Sequence, residues 1–118
     1  MRILILGSIG MAGHLITLYF KGKGYDVTAY SITPFPYCKN IIGDAFETAG
    51  FQSMLLDGDY DVVINCIGIL NQQAEKNHSR AVYLNSYLPH LVADTLRDKR
   101  TKLIHMSTDC VFAGNTGP

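Results

Sequence analysis

The chain has no tryptophan, only three cysteines and four prolines, and no excess charge of either sign across its 118 residues. Cys38, Cys66 and Cys110 are odd in number, far apart and contain no Cys-x-x-Cys pair, which argues against a disulfide framework and a thiolate zinc site. Cys66 and Cys110 read instead as small buried apolar residues. His14, His78, His90 and His105 also lack ligand spacing, so no metal is expected, and His105, set in an apolar strand, reads as a core histidine with its hydrogen bonds met. Ten acidic and ten basic residues cancel, which leaves no electrostatic footprint for nucleic acid or an anionic membrane. No apolar run approaches the ~20 residues of a membrane span, and no signal peptide pattern opens the chain, so the expected location is cytoplasmic.

What is present is an ordinary globular composition, 47% apolar and 17% charged, at a length suited to one domain. The first thirteen residues organise it. Ile3 to Leu6 form an apolar run too short for a helix and too continuous for a half-wet strand, so a strand buried on both faces is expected. Gly7, Gly10 and Gly13 follow at intervals of three, and Leu15, Ile16, Leu18 and Tyr19 then take helical spacing. Strand, glycine turn and helix make a cradle for a dinucleotide. Gly7 lets the chain reverse, Gly10 leaves room for a pyrophosphate against the backbone, and Gly13 lets helix and strand pack closely. The helix N-terminus adds free N–H groups and a partial positive charge.

The helix is expected over 11–22, ended by Lys21, Gly22, Lys23 and Gly24. Tyr25 to Tyr30 reads as a second strand, completing a right-handed βαβ unit. At the end of that strand an NAD site would carry an acidic residue for the ribose 2′-OH. Here stand Tyr30 and Ser31. With no carboxylate to repel a 2′-phosphate and a hydroxyl to bond one, the sequence leans mildly towards NADP, with Lys39 the only cation close in sequence. Residues 31–40 read as a loop, Ile41 to Gly43 as a short third strand. Asp44 then has two readings of equal weight, an acceptor for an adenine amino group or the cap of the helix over 47–56.

Asp61 to Gly68 reads as a fourth, doubly buried strand whose closing glycine lets a ligand approach the backbone. Asn65 within it needs hydrogen-bond partners, expected in the neighbouring loop. A polar stretch over 71–77 leads into a helix over 78–99, which Pro89 should kink or split near Asn85. Residues 102–107 read as the fifth strand, followed by Thr108 to Gly114. In doubly wound sheets ligands bind at the carboxyl ends of strands, so Gly7, Ser31, Asp44, Gly68 and Thr108 should meet in one cleft. The expected fold is a three-layer α/β Rossmann domain over 1–118.

Gly7-x-x-Gly10-x-x-Gly13, the strand Asp61-Val62-Val63-Ile64-Asn65, Asn85 and the segment Ser107-Thr108-Asp109-Cys110-Val111-Phe112-Ala113-Gly114 resemble the extended short-chain dehydrogenase/reductases. Within them the similarity is to the dTDP-4-dehydrorhamnose reductase group, across essentially the whole chain. The resemblance implies a parallel sheet in the order 3-2-1-4-5, truncated before the later strands, and an NAD(P)-dependent reduction of a 4-keto nucleotide sugar; a homo-oligomer is the expected assembly. It also assigns roles. Gly7, Ser8, Ile9, Gly10, Met11, Ala12 and Gly13 would form the pyrophosphate turn, Tyr30 and Ser31 the ribose contacts, Asp44 and Ala45 the adenine contacts. Cys66, Ile67, Gly68 and Ile69 would lie beneath the riboses, and Asn85 would tie the loops of the site together. Thr108 would hold the reacting sugar oxygen, with Asp109 beside it against substrate.

Two departures stand out. Cys110 takes the place of a tyrosine, a packing change. The group's Tyr-x-x-x-Lys proton donor would fall beyond Pro118, so the chain is expected to be the N-terminal part of a longer enzyme, inactive alone and self-associating through an uncovered strand edge. Tyr19-x-x-x-Lys23 has the spacing but lies in the first crossover helix. The competing readings are a nucleotide-sugar epimerase or dehydratase, and a dinucleotide-binding regulatory module without chemistry.

Overall fold

The computed structural model describes residues 1–67, 79 and 82–106. Five strands, β1 (Arg2–Leu6), β2 (Asp26–Ser31), β3 (Lys39–Ile42), β4 (Val62–Asn65) and β5 (Lys102–His105), form one sheet in the order β3-β2-β1-β4-β5. Every pairing is parallel. Because successive side chains of a strand alternate faces, a strand that is apolar at every position must be covered on both sides. In β1, Ile3 and Ile5 face α1 (Met11–Gly22), while Leu4 and Leu6 face α2 (Thr48–Asp57) and α3 (Leu88–Thr95), and all four are buried. The result is the expected three-layer Rossmann arrangement.

Helix α1 ends where its sequence demands. Gly24 takes φ +87°, open to glycine at little cost, and the Tyr25 and Gly24 N–H groups donate to Phe20 O (3.3 Å) and Lys21 O (3.0 Å). The Phe20 and Tyr25 rings meet across this turn at 5.7 Å.

Several boundaries differ from the sequence reading. β3 starts at Lys39, two residues before the expected Ile41, because Lys39 and Asn40 pair with Thr28 and Ala29 of β2. β4 spans Val62–Asn65 rather than 61–68. The long helix ends at Thr95, short of the expected Lys99, with a Leu96 cap. Pro89 divides it as expected, by a specific route. Proline has no N–H for the carbonyl four residues back, and its ring clashes there. The chain responds with a π-helical turn over Tyr83–Tyr87, in which Leu88 N–H donates five residues back to Tyr83 O.

Candidate functional site

At the carboxyl end of β1 the chain turns through Gly7 at φ +83°, a conformation costly to any side chain. Its N–H donates to Tyr30 O at 2.9 Å, tying the turn to β2. A Cβ on Gly13 would stand 2.1 Å from Gly7 O, so helix and turn can pack as they do only with glycine there. Gly10 differs from both. Its φ of −72° suits any residue, and a Cβ would meet nothing nearer than Gly7 O at 3.7 Å. Neither backbone nor packing requires glycine at position 10, and the space in front of it is open.

Ser8 supplies a second observation. Its hydroxyl is wholly buried in the turn and has no hydrogen-bond partner among the described residues. Ile9 and Met11 are exposed beside it, and Ala12 follows in the first turn of α1. An open cradle, an unpartnered donor and the N–H groups at the start of α1 together fit an anionic diphosphate.

The ribose side is built differently from the sequence reading. Tyr30 and Ser31 are both buried, with 4% of each exposed, so neither side chain lies open as a ribose contact. The Tyr30 ring packs on Phe51 and covers Gly43, and burial, reinforced by the Asp44 and Glu47 carboxylates, pushes its phenol up to about 12. Ser31 Oγ donates to Thr33 O (2.7 Å) and accepts from Asn40 Nδ2 (3.0 Å), so its proton is already committed. Asn40, which sequence reasoning passed over, is the hub of this corner. It also donates to Ala29 O (2.9 Å) and accepts from Phe35 N–H (2.8 Å), holding the loop after β2 in place. Phe35 and Tyr37 then meet His14 of α1 edge-on, each at 5.5 Å. Lys39 does not serve the ribose side. It opens β3, and its ammonium bonds Asp26 at 2.9 Å at the amino end of the sheet, holding that carboxyl below its usual range.

Asp44 is exposed, and its Oδ1 accepts Phe46 N–H at 2.9 Å, which closes a turn ahead of α2; the helix itself is capped at Glu47 without a side-chain bond, so Asp44 is not its cap. Ala45 is buried beside it, its carbonyl accepting from the Tyr83 hydroxyl at 2.7 Å. Asn65 finds the neighbouring-loop partner expected of it: Oδ1 accepts Ile67 N–H (3.0 Å). That contact fixes the amide's orientation, so Nδ2 faces His105 Nδ1 (3.2 Å) as donor. Among the described residues His105 is exposed on β5 rather than in the core.

Cys66 and Ile67 are half-buried under the glycine turn, a Cβ on Gly7 meeting Ile67 at 3.0 Å. Burial pushes the Cys66 thiol up to about 11. Asn85 is exposed within the π-helical turn. Gly68, Ile69, Thr108, Asp109 and Cys110 lie outside the described residues. Tyr19 and Lys23 sit in the last turns of α1, at the opposite end of the sheet from the glycine turn, with the Lys23 ammonium 5.5 Å over the Tyr19 ring. The described residues hold no cluster of potential metal ligands, and no described helix is long and apolar enough to cross a membrane.

A parallel 3-2-1-4-5 sheet with a glycine turn after its central strand defines a doubly wound protein of the Rossmann type. The family model described as the RmlD substrate binding domain matches residues 1–118, and the chain belongs to that family. It is 30% identical over 117 residues to a dTDP-4-dehydrorhamnose reductase of Mycobacterium tuberculosis, covering 98% of this chain and 35% of that protein. The same identity and 98% coverage, with 37% of the relative, hold for a probable dTDP-4,6-dihydroxy-2-methyloxan-3-one 4-ketoreductase of Streptomyces antibioticus. The chain thus spans little more than a third of the length of these relatives. Among solved structures it is similar in fold to an L-threonine dehydrogenase of Clostridium difficile, with a TM-score of 0.81 at 21% identity, covering 91% of this chain and 36% of that one. MoeE5 in complex with UDP-glucose and NAD gives a TM-score of 0.80 at 16% identity, covering 99% of this chain and 40% of that one.

Proposed function

We propose that residues 1–118 form the dinucleotide-binding part of an NAD(P)-dependent reductase acting on the 4-keto carbon of a nucleotide-linked sugar. The observation that carries the reading is the turn at Gly10, where the chain keeps glycine although neither φ nor packing asks for it. The buried Ser8 hydroxyl and the α1 N–H groups support it, and the names of the family's reductase relatives supply the sugar class. In this reading the turn 7–13 holds the diphosphate, the exposed Asp44 side chain and the main chain of the buried Ala45 receive the adenine, and the strand end 66–69 lies under the riboses. When bound, the nicotinamide supplies the hydride. Thr108 is assigned to hold the reacting oxygen and Asp109 to stand beside the sugar.

NADP remains favoured over NAD on one ground, the absence of a carboxylate at the end of β2 that would repel a 2′-phosphate. The engaged Ser31 hydroxyl and the distant Lys39 give that preference no further support. The experiment titrates the purified protein with NADPH and with NADH, then follows NADPH oxidation in the presence of a dTDP-linked 4-keto-6-deoxy sugar. Binding of the dinucleotide and its oxidation only with the keto sugar present are expected from the complete enzyme. Failure to bind either dinucleotide would overturn the reading.

A further inference from the structure

The π-helical turn brings Tyr83 against the turn that leads into α2. The Tyr83 hydroxyl donates its one proton to Ala45 O at 2.7 Å, so Thr48 Oγ1, 3.3 Å away, must donate into the same oxygen. The ring lies nearly parallel to Phe46, with centroids 4.5 Å apart and planes 24° apart, and Tyr87 flanks it at 5.2 Å. Asp44 Oδ1 meanwhile closes on Phe46 N–H. The turn Asp44-Ala45-Phe46 is therefore held by a carboxylate from within, by a ring on its side and by a hydroxyl on its buried carbonyl.

Packing alone would be served by any large apolar side chain at position 83. A hydroxyl aimed at one carbonyl fixes the direction of a single peptide, which is a matter of shape more than of burial. The peptide in question joins Ala45 to Phe46, directly after Asp44, and the helical turn that supplies the hydroxyl also carries Asn85 two residues on.

We propose that Tyr83 is a positioning residue for base recognition: it holds the Asp44-Ala45 turn in the shape that receives the adenine ring and joins that turn to the segment bearing Asn85. The inference rests on the dinucleotide reading above. Pro89 is part of the device, because the helix adopts the π-helical turn that carries Tyr83 directly before the proline.

The test is Tyr83→Phe, which keeps the ring stack on Phe46 and removes only the hydroxyl. Affinities of wild type and variant are measured for adenosine diphosphate, reduced nicotinamide mononucleotide and NADPH, alongside thermal melting. Adenosine diphosphate and NADPH are expected to bind about five- to tenfold more weakly to the variant, as for one lost hydrogen bond. Reduced nicotinamide mononucleotide should bind unchanged. Equal weakening of all three ligands with a lower melting temperature would mark Tyr83 as a packing residue and overturn the inference, as would unchanged adenosine diphosphate binding. Wild type that binds none of the three would instead remove the dinucleotide reading, an outcome distinct from either.

Discussion

Replacing Gly10 and Gly13 by alanine, one at a time, separates a glycine kept for a ligand from a glycine kept for the fold. At Gly13 the new methyl would sit 2.1 Å from Gly7 O, a backbone atom that cannot swing aside, so the start of α1 must lift from the turn or the turn must open. Overpacking of this kind costs about 1–3 kcal/mol, and the rigid partner places it at the upper end. Alanine's helix preference returns about 1 kcal/mol, leaving a net loss of about 2 kcal/mol. For a domain of this size that lowers the melting temperature by roughly 6–10 °C. At Gly10 the methyl meets only Gly7 O at 3.7 Å, an ordinary contact, in a backbone conformation alanine adopts freely. Stability should stay level or rise by about 0.5 kcal/mol through the unfolded state. Dinucleotide affinity should nevertheless fall at least about tenfold, about 1.4 kcal/mol, because the methyl takes the space proposed for the diphosphate. Circular dichroism melts and calorimetric titration with NADPH measure the two quantities on the same samples. A Gly10→Ala protein that melts several degrees lower, or binds as tightly as wild type, would refute the reasoning.

Asn65→Ala strands the half-buried Ile67 N–H and removes the buried amide that donates to the exposed His105, and should cost about 1–2 kcal/mol in urea denaturation; a loss under about 0.5 kcal/mol would mean water replaces the amide. Alkaline pH should destabilise the fold. Tyr30 and Cys66 have folded values pushed up by burial to about 12 and about 11, from ordinary values of 10.0 and 9.0. Their neutral forms are favoured in the fold, so the contribution is fully present below about pH 9 and is lost as pH rises through the folded values, on the order of 2 kcal/mol for each group. Denaturation midpoints that stay flat between pH 9 and 11 would count against this assignment.

The identity and order of the elements were legible because each rests on a local or general rule. The apolar run of β1 can only be a strand covered twice, the glycine spacing closes a turn into a helix, and a glycine turn of that kind marks the doubly wound fold in which 3-2-1-4-5 is a common order. Pro89 announces a break in its helix in any fold. Direction and partner were not legible in this way. Tyr30 and Ser31 stand at the strand end where a ribose would be read, yet the β2–β3 pairing brings Asn40 and Thr33 to the Ser31 hydroxyl, and α2 buries the Tyr30 ring. Lys39 is eight residues beyond Ser31 in sequence, but the parallel return of β3 carries it to the amino end of the sheet and to Asp26.

The contact between Tyr83 and Ala45 joins residues 38 positions apart and exists only because a π-helical turn faces the entry to α2. The sequence by itself thus determined which stretches become strands, turns and helices, because those depend on apolar period, glycine and proline. Which polar atoms meet, and which side chains are left to face a ligand, was decided only when parallel strands and both helix layers came together.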